Sequence, residues 1–172
     1  MYETDSIHGT IKFYYSRDNL FNDVSLMSNF MAKNLANKEG NSLTDEYAIS
    51  DDERDLYGVC VQQTLPDIYE AMVKITGGVD SAFQADATRT GTTDKFIIIS
   101  IQDNDAFNDN VLSLVDASLY NAIKIGTLKE FYSIVIQPDF FKVCAERFLG
   151  ELFKLKQRLF QLKKKSVVSN LT

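Results

Sequence analysis

The chain has 172 residues, of which 45% are hydrophobic and 24% are charged. This balance is ordinary for a globular domain and excludes a disordered chain, a collagen and a disulfide scaffold. A domain of this length buries about two-thirds of its unfolded surface, so it needs neither a metal nor a disulfide to hold a core. Its apolar runs are shorter than the ~20 residues of a membrane-spanning helix, so no membrane association is expected.

The N-terminal residues and the cysteines indicate a cytosolic protein. Residues 1–5 have neither the basic start nor the apolar stretch of a secretory signal. The two cysteines, Cys60 and Cys144, are far apart in the sequence. They are therefore predicted to be buried, reduced thiols.

Charge is unevenly distributed along the chain. The formal net charge is -6, but residues 142–165 carry +6, so the remainder carries -12. A basic segment beside an acidic body could steer association with further copies or with an oppositely charged partner. The alternative is a solvated basic helix face. The basic residues of this segment are Lys142, Arg147, Lys154, Lys156, Arg158, Lys163, Lys164 and Lys165.

The first predicted elements are a strand and a helix. Residues 10–15 alternate between apolar and polar side chains, which is typical of a short strand. Asp18 or Asn22 can cap the helix that follows. Gly40 is a terminator or loop residue, and the polar residues 36–49 are predicted to form a loop. The apolar positions of the helix are Leu20, Val24, Met27, Met31 and Leu35.

The clearest helix start in the sequence is a capping box. Ser50 and Glu53 have the spacing at which each side chain bonds the backbone N–H of the other. The helix that follows is predicted to run to Gly77. Residues 77–95 are weakly patterned, and a segment of this length is predicted to be a loop that reaches a neighbouring molecule.

A buried strand and a third helix are predicted next. Residues 96–101 form a continuous apolar run rich in branched side chains, which favours a buried strand. Asn104 or Asp105 caps the third helix. Its end is ambiguous, because Gly126 could terminate it and residues 132–136 could form a further strand.

The last helix is predicted from Pro138 to about Lys165. Its apolar positions alternate in steps of four and three, the repeat of a helix packed lengthwise on another helix. The apolar positions, called the seam below, are Phe141, Ala145, Phe148, Leu152, Leu155, Leu159 and Leu162. One interpretation is a helix that packs on partner chains, and the other is a core helix with a frayed basic end.

The predicted fold class is therefore mainly α, a bundle of about four helices with a small β element and a long C-terminal helix. Residues 1–137 are predicted to form a helical domain with short strands. Residues 138–172 are predicted to form the long basic helix and its tail.

The residues that could carry chemistry are few, which favours a non-enzymatic protein. His8 is the one histidine, and the chain has no phosphate-binding glycine loop. The spacing of histidine and cysteine does not fit a zinc site. Asp103, Asp105 and Asp109 surround a helix start, where they are interpreted as caps. We expect no catalytic, metal or cofactor site, and a hydrolase with an unrecognised acid pair is the weakest alternative.

Three stretches resemble one protein family. Residues 50–77 resemble the helix with an acidic start in head–tail connector proteins of tailed bacteriophages, the head-completion or ring-adaptor proteins. Residues 24–35 resemble the preceding short helix of that family, and residues 110–120 resemble a later helix that ends in a Leu-Tyr pair. The N-terminal strand and the long basic helix would suit a larger particle, such as a crAss-like phage.

The resemblance implies a structural virion protein at the junction of portal and tail, assembled in the host cytoplasm. Such proteins form a ring of about twelve copies beneath the portal protein. The ring contacts other ring or tail proteins and extends the channel through which genomic DNA passes without sequence-specific binding.

The residues predicted to bind partners belong to the last helix. They comprise four seam residues, Phe148, Leu152, Leu155 and Leu159, and six basic residues, Lys154, Lys156, Arg158, Lys163, Lys164 and Lys165. One alternative is a cytosolic helical protein-binding module or regulator that uses this helix. A second alternative is a nucleic-acid-binding protein, although the acidic net charge does not favour it.

Overall fold

The computed structural model describes residues 2–5, 10–33, 35, 40–76, 84–88, 95–102 and 109–163. They form a mainly helical fold with a small antiparallel sheet and a long C-terminal helix, which confirms the predicted fold class. The elements are β1 (Tyr2–Asp5), β2 (Thr10–Ser16), α1 (Arg17–Ala32), α2 (Thr44–Tyr47), α3 (Arg54–Thr76), β3 (Gln84–Thr88), β4 (Lys95–Gln102), α4 (Asp109–Ile134) and α5 (Pro138–Lys163).

The sheet has the order β1-β2-β4-β3, and every neighbouring pair is antiparallel. Its inner strands are the two predicted from the sequence. On the core face Phe13 lies opposite Ile99, and Tyr15 lies opposite Ile97. Such cross-strand pairs of aromatic and branched side chains stabilise a sheet. The helices cover this face, so the alternating apolar residues of β2 are buried in the core.

Part of the segment predicted as a loop at 77–95 is a strand. Residues 84–88 form β3, which pairs with β4 at the edge of the sheet. The sequence of β3, Gln-Ala-Asp-Ala-Thr, has weak strand propensity, so the pairing with β4 rather than local preference makes it a strand. Residues 77–83 and 89–94 lie outside the described residues.

Helix α1 begins directly after β2, and its N-cap precedes the two predicted caps, Asp18 and Asn22, by two and six residues. Ser16 is the N-cap, and its Oγ accepts a hydrogen bond from the Asn19 N–H at 3.4 Å. Asp18 and Asn22 therefore lie within the helix. The prediction of their capping role was wrong because the strand leads into the helix without a connecting loop.

The segment between α1 and α3 is held against α1 by hydrogen bonds. Ile49 N–H donates to Ser28 Oγ at 2.8 Å, and Ser25 Oγ donates to the Ile49 carbonyl at 2.6 Å. The single turn α2 lies within this segment, so the loop prediction for 36–49 was wrong at residues 44–47. Gly40 has a φ of 83°, a left-handed conformation that suits its predicted place in a loop.

The predicted capping box at the start of α3 is confirmed. Ser50 N–H donates to Glu53 Oε2 at 2.7 Å, and a 3₁₀ turn at residues 51–53 leads into α3. Arg54 then contacts Asp51 at 3.0 Å and Asp18 at 2.9 Å. These contacts place the acidic start of α3 beside the N-terminal end of α1.

Helix α4 runs through both positions at which the sequence suggested a change of structure. Gly126 does not end it, and residues 132–134 are helical. A Cβ at Gly126 would collide with Thr64 Cγ2 of α3 and lie 2.8 Å from Phe148 Cε2 of α5. The glycine is therefore needed for the close approach of three helices, and the helix ends only at a turn where Ile136 has a φ of 54°.

Helix α5 packs along α4 and also contacts α3. Its buried residues belong to the same cluster as those of the sheet and the other helices. The predicted boundary at residue 137 therefore does not separate two cores. The prediction of a helix from Pro138 is confirmed as far as Lys163, and residues 164–172 lie outside the described part of the chain.

The crossing at Gly126 generates a stability prediction. Gly126→Ala should lower the free energy of unfolding by up to about 2 kcal/mol, because an overpacking cost of about 1–3 kcal/mol, as Thr64 and the Phe148 ring both shift, exceeds the gain of about 1 kcal/mol in helix propensity. Urea unfolding followed by circular dichroism measures the change. In the matched control, Gly150→Ala, the new Cβ meets nothing within 4 Å, so better helix propensity should raise stability by about 1 kcal/mol. Equal effects of the two substitutions would show that the crossing is not tight.

Candidate functional site

The seam of α5 is covered by the chain's own helices. Phe148, Leu155 and Leu159 are buried, with exposures of 2%, 0% and 0%, whereas Leu152 is partly buried. Of the two interpretations of the seam, the core helix is therefore correct for these three residues. While the fold is intact, a partner could reach only Leu152 among the four predicted seam contacts.

Among the described residues, the predicted basic side chains do not form one free surface. Lys154 pairs with Glu151 on the preceding turn at 2.7 Å. Arg158 donates to the Leu114 carbonyl at 2.8 Å and to Ser118 Oγ, so it fastens α5 to α4. Lys156 lines a groove described below. The side chain of Lys163 and the whole of Lys164 and Lys165 lie outside the described part of the chain.

A second apolar face of α5 is exposed. Leu149, Phe153 and Phe160 have exposures of 67%, 62% and 58%. At 100° per residue their directions fall within about 40° of one another, so they form one row along the helix, called the α5 stripe. Each directly follows a seam residue in the sequence. The row was not predicted from the sequence, because the seam already accounted for one apolar face of the helix.

A groove lies beside the α5 stripe, between α3 and α5, with a volume of about 430 Å³. Phe141, Ala145, Phe148, Leu149 and Leu152 provide its apolar wall, and Asp67, Glu70, Lys129 and Lys156 provide its charged groups. An apolar floor with charges at the rim is typical of a surface that accepts an amphipathic helix.

Lys129 is fixed within this groove. Its Nζ contacts Glu130 at 2.7 Å and Asp67 at 3.2 Å, and it lies 4.7 Å from the centre of the Phe148 ring. Burial lowers the pKa of Lys129, but the hydrogen bonds to the two carboxylates outweigh burial and raise it. The side chain therefore stays charged and is held in ion pairs, so it does not act as a proton donor.

A second cavity, of about 460 Å³, lies between the ends of β2 and β4 and helix α4. Tyr14, Tyr15, Phe96 and Tyr120 line it. The Tyr15 hydroxyl donates to the Asp116 carbonyl at 3.2 Å, and burial raises the pKa of Tyr15 well above its usual value. The phenol therefore stays neutral and cannot act as a base. Its hydrogen bond holds β2 against α4.

The two cysteines are buried and free, as predicted. Burial raises the pKa of the Cys60 thiol to about 12 and that of Cys144 to about 11, so neither forms the thiolate that attacks substrates. Among the described residues, no group of three histidine, cysteine or acidic side chains is arranged to hold a metal ion. His8, Asp103 and Asp105 lie outside these residues.

Within the described segments, no helix is both long enough and apolar enough to cross a membrane. Comparisons of the chain with protein-family models, with curated proteins and with solved structures find no match. The candidate site is therefore defined by geometry alone, as the exposed α5 stripe and the adjoining groove.

The two faces of α5 should differ sharply in their effect on stability. Leu155→Ala removes a fully buried side chain and should cost about 2–5 kcal/mol. Phe153→Ala removes an exposed side chain and should change the free energy of unfolding by less than about 0.5 kcal/mol. Thermal and urea unfolding of both variants test this difference. A large cost for Phe153→Ala would mean that the stripe is covered in the folded chain.

Proposed function

We propose that the chain is a non-enzymatic structural protein that binds other protein subunits through α5, as a ring component of a phage head–tail connector. The observation that carries the binding role is the α5 stripe. Three large apolar side chains lie exposed in one row of a 26-residue helix. Large apolar side chains exposed together indicate an interaction surface more often than single exposed ones do.

The composition of this surface fits a protein partner. Lys142 lies at one end of the row that forms the stripe, and Lys156 lies between Phe153 and Phe160 on the side that faces the groove. Two of the three apolar residues are phenylalanine. Interfaces between proteins commonly place aromatic side chains at the centre and polar groups at the rim. A helix face of this kind is suited to packing against another helix.

The connector role is supported by the order of the helices that carry the family resemblance. The three resembling stretches fall largely on α1, α3 and α4. A chain with a formal net charge of -6 also suits a DNA channel, because strong binding to phosphates would hold the DNA back. The proposed ring lies beneath the portal at the junction of head and tail.

A cytosolic protein-binding module is the second candidate, and the groove between α3 and α5 favours it. The groove has an apolar wall and a charged rim, the arrangement by which a helix of a single partner is bound. This candidate requires neither assembly into a ring nor affinity for the portal. It therefore differs from the connector in a measurable way.

Native mass spectrometry with negative-stain imaging separates the two candidates. Purified protein is measured alone and mixed with portal particles. Rings, or stoichiometric decoration of the portal, are expected for a connector. A monomer that does not bind the portal would contradict the connector proposal and leave the binding-module candidate.

The basic residues 163–165 give a second prediction. Reversing Lys163, Lys164 and Lys165 to Glu should weaken ring or portal association, because it replaces a charge of +3 with -3 in the basic segment of the sequence. Circular dichroism should be unchanged. The control Lys95→Glu changes an exposed lysine of β4 and should leave assembly intact. Normal assembly of the triple variant would exclude these lysines from the contact.

A further inference from the structure

The cavity of about 460 Å³ between the ends of β2 and β4 and helix α4 has two walls. The residues from α4 are three or four positions apart in the sequence and therefore share one face of the helix. They are Ser113, Asp116, Ala117 and Tyr120. The other wall comes from β2, the first turn of α1 and β4, and it includes Tyr14, Tyr15 and Phe96. A cavity of this size, lined by aromatic side chains and a few polar groups, is typical of a site for a small molecule.

Two tyrosine rings meet where β2 packs on α4. The ring centres of Tyr15 and Tyr120 are 5.8 Å apart, and the ring planes are tilted by 41°. Both hydroxyl groups already donate hydrogen bonds, Tyr15 to the Asp116 carbonyl at 3.2 Å and Tyr120 to Asp23 Oδ2 at 2.7 Å. The two tyrosines therefore offer ring surface to a ligand, while their hydroxyl groups hold the wall together.

The lining of the cavity is negatively charged. Among the described residues that line it, Asp116 carries the only formal charge. Asp116 Oδ1 is buried, so water screens its charge less than at the surface and its attraction for a cation is stronger. Lys124, which is not part of the lining, places its Nζ 5.4 Å from the centre of the Tyr120 ring. This contact shows that the ring lies where it can attract a positive charge.

We propose that the cavity binds a small organic cation, an alkylammonium compound whose charged head lies against Asp116 and the rings of Tyr15 and Tyr120. Contact with aromatic faces is a common way of binding quaternary ammonium groups. A methylated ammonium group has no N–H that needs an acceptor, so it suits a wall whose hydroxyl groups are engaged. A metal ion fits less well, because calcium takes about six or more oxygen ligands and the described lining offers one carboxylate. This inference does not depend on the proposed function, which concerns α5.

Choline and its uncharged isostere 3,3-dimethylbutan-1-ol test the proposal, because they share a shape and differ in charge. The full chain, with isotope-labelled tyrosine rings, is titrated with each compound and followed by NMR. Choline should shift the ring signals of Tyr15 and Tyr120 saturably, and the alcohol should bind at least about tenfold more weakly. Titration with sodium chloride corrects for ionic strength. Equal binding of both compounds, or no saturable shift with choline, would overturn the proposal.

Two variants in the lining and one outside it locate the site. Asp116→Asn removes the charge but keeps the shape of the side chain, so choline should bind at least about tenfold more weakly. Ala117→Phe adds a ring at an exposed position of the lining and should block the cavity while the fold is retained. The control Asp139→Asn makes the same charge change at an exposed residue of α5 and should bind choline normally.

Circular dichroism establishes that each variant is folded. If Asp116→Asn does not fold, Ala117→Phe decides the result alone. Choline binding at the unaltered affinity in a folded lining variant would contradict the proposed site, as would an equal loss of binding in Asp139→Asn.

A last titration distinguishes a free compound from a side chain of another protein. Nα-acetyl-lysine methylamide carries the primary ammonium group of a lysine side chain, and it should bind more weakly than choline because its N–H groups find few free acceptors in the wall. Tighter binding of the lysine compound would assign the cavity to a lysine of a partner protein and would overturn the proposal of a small-molecule ligand.

Discussion

The arrangement of the helices depends on the close crossing at Gly126. With only a hydrogen at this position, Thr64 of α3 and the Phe148 ring of α5 both approach the backbone of α4. The crossing determines which face of α5 is buried and consequently which face is exposed. The α5 stripe follows from it, because the seam lies on α4 and α3 while Phe153 and Phe160 are turned outward.

Elements with strong local signals were predictable from the sequence. The capping box of Ser50 and Glu53, the alternation in β2 and the apolar run of β4 all lie where the sequence placed them. Elements that depend on distant partners were not. Gly126 has poor helix propensity and the branched residues near Ile134 favour strands, yet packing against α3 and α5 keeps α4 helical. Strand β3 likewise exists because β4 pairs with it.

Only part of the candidate site could be predicted from the sequence, because it depends on how the helices pack. Spacing shows which side chains of a helix share a face, but it does not show what covers that face. Phe148, Leu155 and Leu159 were correctly grouped, and the chain's own α3 and α4 cover them. Leu149, Phe153 and Phe160 each follow a residue of the seam by one position, which is a rotation of about 100°. Only the fold distinguishes the covered row from the exposed one.

The same packing fixes the direction in which the α5 stripe faces. Helix α5 packs on α4 and α3, so the interior around α4 determines the orientation of the stripe relative to the rest of the chain. In a ring of identical copies, the angle between the two contacting surfaces of one copy determines whether the ring closes and how many copies it contains. The size of the proposed ring would therefore depend on crossings in the core such as Gly126, whereas the apolar residues and charges of the surface would set its stability.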